Sequence, residues 1–166
     1  MALTYSGKLY RALNPVYARE PMSGRGAELY GGRFNPKGVP ALYASTSVLT
    51  ALREANQVGD LQPTTLVCYR AAIEMVFDTT EKAALSATGI EDAVLSDPTW
   101  RDQMKTTGEA RTQRFARELI AAGYYGLLVR SFAKGAGPRD MNLVLWKWGE
   151  AGPASLELID DEDRLR

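Results

Sequence analysis

The sequence predicts an α+β fold in one domain, on three observations. Short apolar runs of strand character mix with two or three helical stretches without strict alternation. One of those stretches, residues 109–122, has clear helical apolar spacing and is closed by Gly123. At 166 residues, 45% of them hydrophobic, the chain can build one real core, and no repeat or linker divides it. The expected domain is residues 1–166, with a core of about 8–150 and a solvated acidic tail over 157–166.

Leu9 to Leu13 reads as a short opening strand stopped by Asn14-Pro15. Residues 16–32 hold Gly24, Gly26, Gly31 and Gly32 among charges, which suits a functional loop. Asn35-Pro36-Lys37-Gly38 is turn chemistry, since proline presets φ and glycine accepts a positive one. A strand over 39–44 follows. Ser45-Thr46-Ser47 then supplies capping hydroxyls for a helix over 48–57, with Val48, Ala51, Leu52 and Ala55 as its apolar face. On that wheel Glu54 flanks the core and Arg53 points most fully to solvent.

Strands are expected over 64–69 and 73–77, then a polar helical excursion over 79–106 with Trp100 near its middle. After the helix of 109–122 come strands over 124–129 and 142–148, joined by the loop Arg130 to Pro138. Trp146 and Trp148 alternate along the last strand as core or cleft wall.

Composition removes whole classes of chemistry. The chain has no histidine, so a Ser-His-Asp triad, a Cys-His dyad and a histidine general base are unavailable. One cysteine cannot supply the ligands of a zinc site or form an internal disulfide, and Cys68 reads as a small buried apolar side chain. No metal is expected. Lysine plus arginine equals aspartate plus glutamate, so no global field favours nucleic acid or a membrane surface. No apolar run has the length of a membrane span or the form of a signal peptide, and a cytoplasmic protein is expected. The glycines form neither a dinucleotide fingerprint nor a P-loop.

What remains is a constellation. Gly31-Gly32 leads into Arg33, whose guanidinium can fork onto phosphate oxygens. Tyr43 lies on the next strand, Glu54 eleven residues further on, and Ser131 where a later strand emerges into a loop. Each also has an ordinary role: an arginine in a structural ion pair, a core tyrosine, a surface glutamate, a turn serine. Together they suggest a cleft for a phosphate-bearing ligand beside one carboxylate.

Those residues resemble the RES domain, named for its arginine, glutamate and serine. The likeness runs from about Tyr10 to Trp148 and includes Gly31-Gly32-Arg33-Phe34-Asn35, Tyr43, Glu54, Ser131 and Asn142-Leu143-Val144-Leu145. It implies an ADP-ribosyltransferase-like mixed sheet with flanking helices, and a toxin of a bacterial type II toxin–antitoxin pair that consumes NAD. Within the family the likeness is to the ParT type, which transfers ADP-ribose to a protein; for that type the target is phosphoribosyl pyrophosphate synthetase. The family's other reactions are hydrolysis and phosphorolysis of free NAD, and a nucleotide-binding module without activity is a further alternative. The partner implied is an antitoxin with an Xre-type DNA-binding domain.

By the same resemblance Glu54, Arg33 and Ser131 are the catalytic set, and Arg11, Arg33, Tyr43 and Ser131 bind NAD. Glu54 would stabilise an oxocarbenium-like centre, Arg33 and Arg11 would hold the diphosphate, Tyr43 would stack on nicotinamide and Ser131 would position ribose or phosphate. Phe34, where tryptophan is common, and Arg130, where proline is common, depart from the family pattern.

Overall fold

A computed structural model describes residues 2–57 and 59–165; Met1 and Arg166, the ends of the expected domain, and Val58 lie outside the described residues. The α+β expectation holds. Six strands, β1 (Ala2–Leu13), β2 (Leu42–Ser45), β3 (Thr65–Asp78), β4 (Gly126–Arg130), β5 (Met141–Leu145) and β6 (Ala154–Leu158), form one mixed sheet of order β1-β2-β5-β4-β3-β6. Because β1 pairs with both β2 and β3, the first five neighbours close into a ring, and β6 lies against β3 outside it. The helices are α1 (Arg25–Tyr30), α2 (Val48–Ala55), α3 (Lys82–Ala87), α4 (Asp92–Leu95), α5 (Trp100–Thr107) and α6 (Arg111–Ala121).

Connectivity follows from strand direction. Among the six strands every pairing is antiparallel except β3 with β4. Parallel neighbours need a long crossover, and the chain between them carries α3 to α6. The expected polar excursion is therefore three short helices, with Trp100 buried at the start of α5 rather than mid-helix.

Alternation along the strands builds two apolar clusters. Leu42, Ala44, Leu143 and Leu145 join Leu9, Tyr69, Ile73 and Leu156 on one face. Val144, Leu127 and Val129 turn the other way, to meet Phe34, Phe77 and the α6 residues Phe115, Ala116 and Leu119. Phe115 sits edge-on to Phe77, with ring centroids 5.8 Å apart.

Several elements differ from expectation, each for a tertiary reason. The opening strand begins at Ala2, because residues 2–7 find partners in β3 and Leu3 and Tyr5 pack against the cluster on one face. The two strands expected over 64–77 are one. β3 carries Met75 at φ 51°, where its neighbour changes from β6, paired up to Ile73, to β4, paired from Val76. The loop of residues 16–32 contains α1. The chain beyond Glu150 returns to the sheet: Glu157 and Leu158, expected in a solvated tail, end β6 opposite Arg70 and Tyr69.

β5 stops at Leu145. The Trp146 and Lys147 amides both reach the Tyr125 carbonyl, at 2.9 and 3.2 Å, and this two-against-one arrangement is bulge-like. Trp146 consequently joins the α6 cluster while Trp148 packs on the opposite one, so the pair does not share a wall.

Replacing Phe115, 1% exposed, by alanine should cost about 3–5 kcal/mol. Urea unfolding checks this, and a loss below about 1 kcal/mol would mean that α6 is not seated on the sheet as described.

Candidate functional site

The turn that carries Arg33 is held from inside the protein. Gly31, at φ 74°, ends α1 with its amide on the Ala27 carbonyl at 2.8 Å. A Cβ on Gly32 would stand 2.5 Å from the Tyr43 hydroxyl and 2.6 Å from Asn35 Oδ1, so only glycine fits. At Gly32 the demand for glycine is thus internal packing. Asn35, fully buried, donates through Nδ2 to the carbonyls of Ala27, Pro36 and Val39, while its Oδ1 accepts from Tyr43 at 2.6 Å. The Tyr43 hydroxyl also accepts the Phe34 amide at 3.0 Å. Gln113 of α6 donates to the Gly32 carbonyl at 3.0 Å, and the Trp146 indole donates to Phe34 O at 2.8 Å.

This turn forms one wall of a cleft of about 490 Å³. Arg11, Arg33, Arg101 and Arg130 line it, and Glu54 is the one carboxylate on its lining among the described residues. Arg33 NH1 donates to the carbonyls of Leu95 and Asp97 at 3.1 and 2.9 Å, tying the α4–α5 connection to the cleft. Its guanidinium carbon lies 5.2 Å from the Phe132 ring centre and 5.8 Å from that of Trp100. Burial lowers the Arg33 pKa, and the Glu54 carboxylate opposes that shift. Arg11 NH1 donates to the carbonyls of Pro21 and Ser23, both at 3.2 Å, which fastens the segment after β1 as well as facing the cleft.

Glu54 leaves α2 near its C-terminal end. The helix starts as the sequence predicts, with Ser47 accepting the Thr50 amide as its cap. Its buried face differs. Val48 is 41% exposed and Ala55 is exposed, whereas Thr50 and Ala51 are buried, so the helix is turned to bring Thr50 and Glu54 inward. Glu54 Oε1 accepts from the Ser131 hydroxyl in a short hydrogen bond and from Asn142 Nδ2 at 2.8 Å, and Oε2 accepts from Gln57 at 2.8 Å. Asn142 is itself oriented by Ser45, whose hydroxyl donates to Oδ1 at 2.7 Å.

Ser131 is 4% exposed and does not line the cleft; it stands behind Glu54. Its amide donates to Asp140 O, and the Asp140 carboxylate accepts from Gly137 N at 2.6 Å, Thr50 Oγ1 at 2.9 Å and Arg53 NH1 at 3.1 Å. Arg53 is thus an ion-pair partner with a third of its side chain exposed, not the fully solvated residue expected. The loop of residues 131–140 would otherwise be free to drift from α2, and Asp140 pins it there. The Gly137 amide foremost, then Thr50, and last Arg53 hold the Asp140 carboxyl below its usual value.

The structure therefore brings Arg33, Tyr43, Glu54 and Ser131 together, with Arg11 also on the cleft lining. The Tyr43 ring borders the cleft, but its hydroxyl is committed to the turn, and burial pushes its pKa far above the ordinary phenol value. Asn142, Asn35, Gln113 and Asp140 were not singled out as site residues. Asn142 stood within the recognised strand and could have been found, since period-two alternation places it on the face of Val144 and Trp146. Asn35 lay within the recognised turn, whereas Gln113 and Asp140 act across elements and no local spacing marks them.

Four guanidinium groups around one oriented carboxylate suit a ligand that is anionic at one end and electron-poor at the other. The chain belongs to the RES domain family, whose model matches residues 8–165. Toxin Res of Photorhabdus laumondii subsp. laumondii is 47% identical over 53 residues, which make up 31% of this chain and 34% of that protein. The matched part is thus about a third of the relative's length. In fold the chain is similar to a chain of the M. tuberculosis MbcT–MbcA toxin–antitoxin complex, with a TM-score of 0.64 and 23% identity over 96% of this chain and 84% of that one.

Two outcomes test this geometry. Tyr43→Phe should cost about 1–3 kcal/mol in urea unfolding, because Asn35 Oδ1 and the Phe34 amide lose a buried partner. A neutral result would mean that the hydroxyl does not hold the turn. The Asp140 clamp should be present above the ordinary carboxylate range and fail as pH falls, since the folded pKa lies below the ordinary 3.8. The Gly137 amide resonance should then titrate with a midpoint below 3.8, and Asp140→Asn should abolish that step.

Proposed function

We propose that this cleft binds NAD, cleaves the bond between nicotinamide and ribose, and transfers ADP-ribose to an acceptor on another protein. The observation that carries the reading is Glu54: the one carboxylate on the cleft lining among the described residues, held by Ser131 and Asn142, in a cleft whose arginines suit a diphosphate. The bond from C1′ to the ring nitrogen breaks with its electron pair leaving on nicotinamide, which departs neutral and needs no acid. That removes any demand for histidine. C1′ becomes oxocarbenium-like, the electronic situation of glycoside cleavage. Glu54 faces that charge and accepts a hydrogen bond from a ribose hydroxyl, while the acceptor forms the new bond to C1′ and passes its proton to the Glu54 carboxylate, which releases it to solvent. Arg33 and Arg11 hold the diphosphate, and the Tyr43 ring forms an aromatic wall for nicotinamide.

Ser131 has a narrower part here than the resemblance implied. With its hydroxyl committed to Glu54, it serves as a positioning residue whose hydrogen bond aims the carboxylate.

In the cell this chemistry fits a toxin, in keeping with the name of the Photorhabdus relative and with the toxin–antitoxin complex that shares the fold. The protein would act in the cytoplasm, restrained by an antitoxin with an Xre-type DNA-binding domain, and phosphoribosyl pyrophosphate synthetase is the first acceptor to test.

Purified protein is incubated with NAD, with and without lysate protein, and nicotinamide is quantified. Glu54→Gln should lower turnover by about 10²–10³-fold. Ser131→Ala should lower kcat less, with KM nearly unchanged. Wild-type turnover in Glu54→Gln would remove the carboxylate from the chemistry. Release without an acceptor protein would make water or phosphate the acceptor and the protein an NAD-degrading enzyme.

A further inference from the structure

Arg101 has none of the backbone attachments that occupy Arg11 and Arg33 in the same cleft. It is the second residue of α5, is exposed, and lines the cleft. Its guanidinium carbon stands 4.4 Å from the centre of the Trp100 ring, and Trp100 is buried, so the ring is a fixed platform for it. No hydrogen bond or ion pair engages the Arg101 side chain among the described residues. The carboxylate one helical turn before it, Asp97, is already bound to the Thr99 amide and hydroxyl at 2.8 and 2.6 Å and to Gln103 at 3.2 Å. Arg33 leans on the same indole, at 5.8 Å.

Two guanidinium groups thus share one aromatic platform on the lining of a cleft, and among the described residues no ion pair to a carboxylate bridges them. Like charges so placed repel unless an anion lies between them. Arg33 spends NH1 on two backbone carbonyls, whereas Arg101 keeps its whole donor fork, which matches a phosphoryl group.

We propose that Arg101 is a substrate-binding residue that takes one phosphoryl group of a diphosphate whose other phosphoryl group lies on Arg33, with Trp100 as their common support. This rests on the reading of the cleft as a dinucleotide site and adds a contact from α5, an element outside the recognised motif. It also makes the length of the diphosphate a determinant of specificity, since a monophosphate reaches one fork and not both.

The test is direct binding of ADP-ribose by calorimetry, which needs no turnover. Arg101→Met, which keeps an apolar stem over Trp100, should weaken binding about tenfold or more. Arg101→Lys, with the charge but no fork, should fall between. Arg111→Met is the control, because Arg111 is exposed and close in sequence but does not line the cleft; it should bind within about twofold of wild type. Adenosine monophosphate should lose much less than ADP-ribose in Arg101→Met. Unchanged ADP-ribose binding in Arg101→Met, or an equal loss in Arg111→Met, would overturn the contact and leave the dinucleotide reading standing. Failure of the wild-type protein to bind ADP-ribose would sink the dinucleotide reading and this inference with it.

Discussion

Asn35 is buried to the last atom, and its carboxamide satisfies three backbone carbonyls while accepting the Tyr43 hydroxyl. A buried amide of this kind is costly unless every group is paired. Here the pairing reaches α1 through Ala27, the following turn through Pro36 and Val39, and β2 through Tyr43. The backbone of residues 31–35 therefore has one low-energy path, and Arg33 leaves it in one direction. Gln113 and Trp146 repeat the constraint from α6 and from the end of β5. The arginine wall of the cleft is as rigid as this hub.

The acidic wall is built on a different plan. Glu54 sits on a short helix whose outward residues, Val48 and Leu49, are open to solvent, so apolar burial alone does not fix its rotation. Hydrogen bonds do that instead. Thr50 and Arg53 meet Asp140, and Asn142 and Ser131 meet Glu54 itself. The loop of residues 131–140 and α2 thereby behave as one piece. An arginine wall set by a buried amide and a carboxylate set by a partly exposed clamp give the cleft one stiff side and one side that responds to charge and pH.

Helices α3 to α5 complete the enclosure. They exist because β3 and β4 are parallel and need a crossover, and they are drawn to the cleft by Arg33 through Leu95 and Asp97. The crossover thus adds Trp100 and Arg101 to a site whose other members come from β1, α1 and the turn after it, β2, α2, β4 with the loop that follows it, and β5.

The sequence by itself determined the class of fold, the helices of 48–57 and 109–122 to within two residues at each end, and the membership of Arg11, Arg33, Tyr43, Glu54 and Ser131 in one constellation. These are legible because capping, turn chemistry and apolar period are local, and because the resemblance rides on a compact motif. It did not determine that β1 begins at Ala2, that 154–158 is a strand, that Trp146 and Trp148 part company, or that Ser131 stands behind Glu54 rather than in the cleft. Each of those depends on a partner distant in the chain. A weakly patterned strand forms when a neighbour offers its backbone groups, a bulge turns a side chain to the other face, and a hydroxyl serves whichever polar group the folded loop brings within reach.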